Sequence, residues 1–190
     1  APVASRWTKV SDGSVTRAAN QAADAKVSGP ALPKYFGGLS NTFMYKGFDL
    51  SASLYFSGGN YVYNGTKAGL HDMRVWNNSA DVMSRWQNPG DVSATPRIVF
   101  GDNISNGSSM PISANVEKGD FIKVRNIAFG YSLPKDLLER MKLTNLRFYV
   151  SAQNPFTFTN YSGFDPEIST NGNSNGSPSV DRNSAPMART

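Results

Sequence analysis

His71 is the one imidazole in the chain, so chemistry that needs a base near neutral pH or a ring nitrogen for a metal has a single place to start. A metal site would need a second imidazole or a thiolate at ligand spacing, and the chain has no cysteine at all. Serine hydrolysis would need a base held against a nucleophile, and the lone histidine has no evident serine partner. His71, beside Asp72, therefore reads as a solvated loop residue. Asp165 and Glu167 lie close enough in sequence for paired carboxylate chemistry or a calcium loop. Pro166 between them, and the lack of an acidic loop pattern, favour a structural turn. No catalytic residue, metal ligand or cofactor is expected, and the chain is not expected to be an enzyme.

Aromatic side chains offer flat apolar faces with polar handles, which suit sugar rings. Trp76, Trp86, Tyr61 and Tyr63 share one long polar stretch and are the candidate substrate-binding residues. Their plainer role is to pack that stretch on itself or against a partner. Lys123 and Arg125 alternate with apolar and aromatic residues as in an RNA-binding sheet, but the glycine-aromatic signature is missing. The net charge of +5 comes from singly scattered lysines and arginines, with no basic cluster, so no nucleic-acid partner is expected.

The elements that must position these residues follow a period of two, which sends successive side chains to opposite faces of a strand. In 48–57 the even positions are Phe48, Leu50, Ala52, Leu54 and Phe56, against Asp49, Ser51, Ser53, Tyr55 and Ser57. In 145–158 the even positions are Leu146, Phe148, Val150, Ala152, Asn154, Phe156 and Phe158, with Asn154 the sole polar exception. The segment 121–133 changes parity, from Ile122 and Val124 to Ile127, Phe129, Tyr131 and Leu133, which predicts a β-bulge near Arg125-Asn126. Residues 35–45 alternate less cleanly and are separated from 48–57 by Lys46-Gly47, which predicts a tight hairpin.

These runs reach the roughly 9–11 residues that a tilted strand needs to cross a bilayer, whereas globular strands usually have about 5 or 6. No stretch approaches the roughly 18 consecutive apolar residues of a membrane helix, and a mean hydropathy of -0.40 agrees, but a membrane barrel needs only alternate residues apolar. The connections are unequal. Residues 58–120 form a long polar loop with short helices predicted near 65–76 and 79–87, while 134–141 predicts a single helical turn with Pro134 at its first position. Short connections at one end and long ones at the other are the barrel habit. Tyr45, Phe48, Tyr131, Phe156, Phe158 and Tyr161 collect at strand ends, as interfacial girdles do; packing in a soluble sandwich accounts for them equally well.

Three segments resemble the C-terminal third of SusC/RagA-type TonB-dependent receptors. The first is Pro33-Lys34-Tyr35-Phe36-Gly37-Gly38-Leu39-Ser40-Asn41-Thr42-Phe43 with Tyr45-Lys46-Gly47-Phe48-Asp49-Leu50. The second runs from Gly119-Asp120-Phe121-Ile122-Lys123-Val124-Arg125-Asn126 to Gly130-Tyr131-Ser132-Leu133-Pro134. The third runs from Arg147-Phe148-Tyr149-Val150-Ser151-Ala152-Gln153-Asn154 to Tyr161-Ser162-Gly163-Phe164-Asp165-Pro166-Glu167. Each piece alone is weakly specific; their order and spacing together are specific.

The resemblance implies an all-β fold: antiparallel strands of a transmembrane barrel of about 22 strands, of which this chain supplies about four. Residues 1–190 are then expected to be the C-terminal part of the receptor barrel, with no plug domain and no TonB-contacting segment, and with targeting information missing or lying upstream. The implied function is import of oligosaccharides or peptides across the outer membrane of a Gram-negative bacterium. The implied partners are a SusD-like surface lipoprotein, TonB and outer-membrane lipid. The alternative is a soluble β-sandwich glycan-binding module, whose apolar parity would face a second sheet.

Overall fold

The computed structural model describes residues 7–16, 23–72, 77–93, 95, 112–170, 176–186 and 188–189. The strands are β1 (Trp7–Thr8), β2 (Val15–Thr16), β3 (Tyr35–Tyr45), β4 (Phe48–Gly58), β5 (Tyr61–Asn64), β6 (Val116–Lys118), β7 (Phe121–Ser132), β8 (Arg147–Thr159) and β9 (Val180–Asp181). Two short α-helices are α1 (Gly65–Leu70) and α2 (Lys135–Arg140). The chain divides into two compact units: 1–29, 62–117 and 169–184 form one, and 30–61, 118–168 and 185–190 the other.

The second unit is built on an antiparallel sheet of order β3-β4-β7-β8, with strands of 11 to 13 residues. Lys46 and Gly47 both take positive φ, 47° and 87°, the two left-handed positions of a hairpin turn that matches strand twist. Gly47 is also forced by space: a Cβ there would sit 2.6 Å from the Ser132 carbonyl oxygen. The β3–β4 turn and the β7–β8 connection lie at the same end of the sheet, since Phe48 pairs with Tyr131 and Tyr131 with Phe148. The long connections leave from the opposite end.

The bulge expected near Arg125 is present, and it is one of a nested pair. One step along β4 (Ser53 to Leu54) matches two along β7 (Asn126 to Val124), which match three along β8 (Gln153 to Phe156). Each bulge adds a residue and sharpens the local twist. Asn154, the polar exception in the pattern of β8, sits in this irregularity with φ 49°, a left-handed conformation that asparagine tolerates. Its departure from the apolar parity thus has a backbone cause.

The other unit has a small core around Val62, Ala68 and Val82. Here the structure departs from the expected loop. The stretch 58–120 contains β5 and β6, and β5 pairs in parallel with β9 through Tyr63 and Val180. The helix expected over 65–76 ends at Leu70, and the one over 79–87 is a 3-10 turn, Ala80–Ser84. Glycines at 65 and 69 make α1 a poor helix, sustained by Asn64, whose side chain accepts from the Lys67 N–H at 2.8 Å. Pro134 is the N-cap of α2 rather than its first helical residue.

Candidate functional site

The two faces of the four-stranded sheet differ in chemistry. Cross-strand pairing lines up Phe48-Tyr131-Phe148, Leu50-Phe129-Val150, Ala52-Ile127-Ala152, Leu54-Val124-Phe156 and Phe56-Ile122-Phe158 on one face. β3 extends these rows with Tyr45, Phe43 and Leu39, and the Phe56 ring lies over Gly37. This face contains no charged residue, yet it is uncovered: Phe43, Val150 and Phe158 are each more than 60% exposed. Water-exposed apolar rows of this extent mark a surface that normally meets lipid or a partner. In the sandwich alternative a second sheet would cover these rows, and none does among the described residues.

The opposite face is polar. Its middle rows, Thr42-Ser51-Ala128-Ser151 and Ser40-Ser53-Asn126-Gln153, are hydroxyl- and amide-bearing with one alanine, and Ser40 and Ser53 are joined by a 2.9 Å hydrogen bond. The four long strands carry only four charged residues, Asp49, Lys123, Arg125 and Arg147, all on this side and all ion-paired. At the short-connection end Arg147 donates to both oxygens of Asp49, at 3.2 and 2.7 Å.

At the long-connection end, after β8 ends, the chain folds back over this face. Lys123, 2% exposed, donates to both Asp165 oxygens at 2.6 and 2.8 Å and to Glu167 Oε2 at 2.7 Å. Arg125 donates to the other Glu167 oxygen. The turn is held internally, because the Glu167 N–H donates to Asp165 Oδ1 at 2.9 Å and the Ile168 N–H to the Asp165 carbonyl. Lys123 stands 5.3 Å from the Phe121 ring centroid and Arg125 5.2 Å from that of Tyr55. Two cations and two carboxylates thus neutralise one another inside the fold. Asp165 and Glu167 do form the structural turn expected of them. Its counter-charges were not anticipated, although two cations at i and i+2 in an otherwise neutral strand were a signal that acidic partners must come from elsewhere.

Three of the four aromatic candidates lie among the described residues. Tyr61 and Tyr63 lie on β5, not in a loop, on its half-buried parity, and burial raises the Tyr63 hydroxyl above its usual pKa against the opposing charge of Arg182. Trp86 is half-buried, with its backbone N–H bonded to the Thr95 carbonyl at 2.9 Å. Trp76 lies outside the described residues. Gly172-Asn173-Ser174-Asn175-Gly176 has the letters of a hydrolase nucleophile elbow, which needs a strand before it and a helix after it. Residues 171–175 are outside the described residues, and Ser169 and Thr170 before them are not in a strand.

His71 is not merely solvated: its Nε2 lies 2.7 Å from Asp81 Oδ2. The Ser79 side chain first and His71 second hold the Asp81 carboxyl below its ordinary value of 3.8. A carboxyl depressed in the folded state stabilises it fully above its unfolded pKa, here about pH 4, and loses that contribution as pH falls through the lower folded value. Protection of the Val82 and Arg85 amides against exchange, measured relative to their intrinsic rates, is therefore expected to fall on that acid side, since these N–H groups close the 3-10 turn. His71→Ala should move the onset to higher pH; an unchanged onset would remove His71 from the cause.

No protein-family model matches the chain. It is 32% identical over 172 residues to TonB-dependent receptor P3 of Formosa agariphila, an alignment covering 88% of this chain and 16% of that protein. It is 35% identical over 155 residues to TonB-dependent receptor P39 of the same organism, covering 79% and 15%, and 28% identical over 158 residues to TonB-dependent receptor SusC of Bacteroides thetaiotaomicron, covering 80% and 14%. The chain spans about one sixth of the length of the first of these relatives. The fold matches the solved RagAB peptide transporter with TM-score 0.76 at 20% identity, and the RagAB peptide importer in its open-open state with 0.74 at 21%. Each of these alignments covers 97% of this chain and 19% of the other.

Proposed function

Because the chain belongs to the SusC/RagA class of TonB-dependent receptors, we propose that it forms the C-terminal part of the barrel wall of an outer-membrane nutrient importer. The observation that carries this reading is the uncharged, exposed apolar face along strands of 11 to 13 residues. In a barrel that face meets lipid, the polar face meets the lumen, and the open edges of β3 and β8 pair with further strands. The short Lys46-Gly47 turn and the α2 connection are periplasmic; the long connection 58–120 and the segment after β8 are extracellular.

The imported nutrient is an oligosaccharide or peptide, admitted beneath a SusD-like surface lipoprotein and driven by TonB acting on parts of the receptor outside this chain. Tyr61, Tyr63, Trp76 and Trp86 are extracellular residues that stack on or pack near the nutrient. Deleting the full receptor is expected to abolish TonB-dependent growth on one such nutrient, and the intact gene should restore it. Recovery of the full-length protein in the soluble fraction without detergent would contradict the reading.

A further inference from the structure

Every charge on the four long strands is neutralised within the fold, and at the extracellular end the neutralising groups come from outside the strands. Lys123 and Arg125 are the only cations on β7, and both are occupied by the carboxylates of the strap after β8. Lys123 is sealed at 2% exposure, whereas Arg125 and Glu167 keep 29% and 23% of their side chains accessible. The rows below, from Ser40 to Gln153 and from Thr42 to Ser151, bear no charge.

We propose that Glu167, with Asp165, is an internal mask over a cationic subsite on the lumen wall, and that Arg125 is the part of this subsite a ligand could reach. Unmasked, Arg125 would take the carboxylate of an acidic oligosaccharide, since a guanidinium forms two parallel bonds to a carboxylate. Masked, the middle of the wall carries no charge and is dominated by hydroxyls and amides, which selects uncharged, hydrogen-bonding ligands over anionic ones. Glu167 is in this view a specificity determinant. The inference rests on the transporter reading, which makes this face the lumen wall.

The test uses full-length receptor in detergent and oligogalacturonate as the anionic probe, with Glu167→Gln as the unmasking variant. Lys123 keeps both of its bonds to Asp165 in this variant and loses only the charge of its Glu167 partner, whose place a glutamine oxygen can still fill as an acceptor. Expected is a gain of about tenfold in affinity over the parent, screened by added salt and abolished in Glu167→Gln/Arg125→Gln. Three results would overturn the mask: assembled Glu167→Gln without a gain, a gain that survives loss of Arg125, or a parent that already binds the probe through Arg125. Failure of Glu167→Gln to assemble would also overturn it, because Glu167 would then be a requirement of the fold. If the parent receptor itself never reaches the outer membrane in heat-modifiable form, the transporter reading has failed instead, and that is visible before any probe is added.

Discussion

Val150→Arg is expected to block assembly of the full receptor while Ser151→Arg leaves it largely intact. Val150 lies at the middle of the apolar face, 67% exposed and paired with Phe129, so in the barrel it projects into hydrocarbon. A guanidinium near the bilayer midplane costs about 2 to 4 kcal/mol. Ser151 pairs with Ala128 on the polar face and would carry its arginine into the lumen. There the penalty is steric and depends on the room left by the plug. The fraction of receptor reaching the outer membrane with heat-modifiable gel mobility separates the two. Normal assembly of Val150→Arg with failure of Ser151→Arg would invert the facing; normal assembly of both would place β8 outside the bilayer.

Lys123→Met is expected to be the most damaging single change on the polar face, at about 3 to 5 kcal/mol, because it leaves Asp165 buried without its main counter-charge. Restoring neutrality with Asp165→Leu should recover most of that loss, since Glu167 keeps Arg125. The contrast is Arg147, 45% exposed at its pair with Asp49, where Arg147→Met should cost far less because solvent screens the pair. Urea midpoints of full-length receptor refolded into lipid vesicles measure both. Equal effects at Lys123 and Arg147 would mean that burial, on which the difference rests, does not govern the strength of these pairs.

What the sequence disclosed and what it withheld divide along physical lines. The four long strands were legible because a two-faced sheet writes its facing into every second residue, and the parity switch between Val124 and Ile127 marks the β7 bulge. The β8 irregularity was visible only as an out-of-place Asn154, because a bulge of this step count leaves the apolar parity unchanged. β5, β6 and β9, of two to four residues, were too short to establish a period. The helix ends were misplaced because Asn64 caps through its side chain while the glycines of α1 give no propensity signal.

The Lys123 cluster escaped for a different reason. Its partners lie 42 and 44 residues downstream, and pairing at that separation is set by tertiary folding, not by local pattern. Likewise the pairing of His71 with Asp81 depends on a turn whose position the sequence did not give. The aromatic candidates were chosen by residue type, and type alone could not tell that Tyr61 and Tyr63 lie on a short strand.

The central claim is that one face of this sheet lies against lipid, and β7 offers its sharpest test because its apolar parity changes at the bulge. Nitroxides placed singly from Ile122 to Tyr131, in full-length receptor reconstituted into bilayers and cleared of other cysteines, report collisions with lipid-soluble oxygen and with a water-soluble nickel chelate. The expected oxygen maxima are at Ile122, Val124, Ile127, Phe129 and Tyr131, with the phase slipping by one residue at Arg125. Chelate maxima at those same positions, or an unbroken alternation through Arg125, would contradict the account.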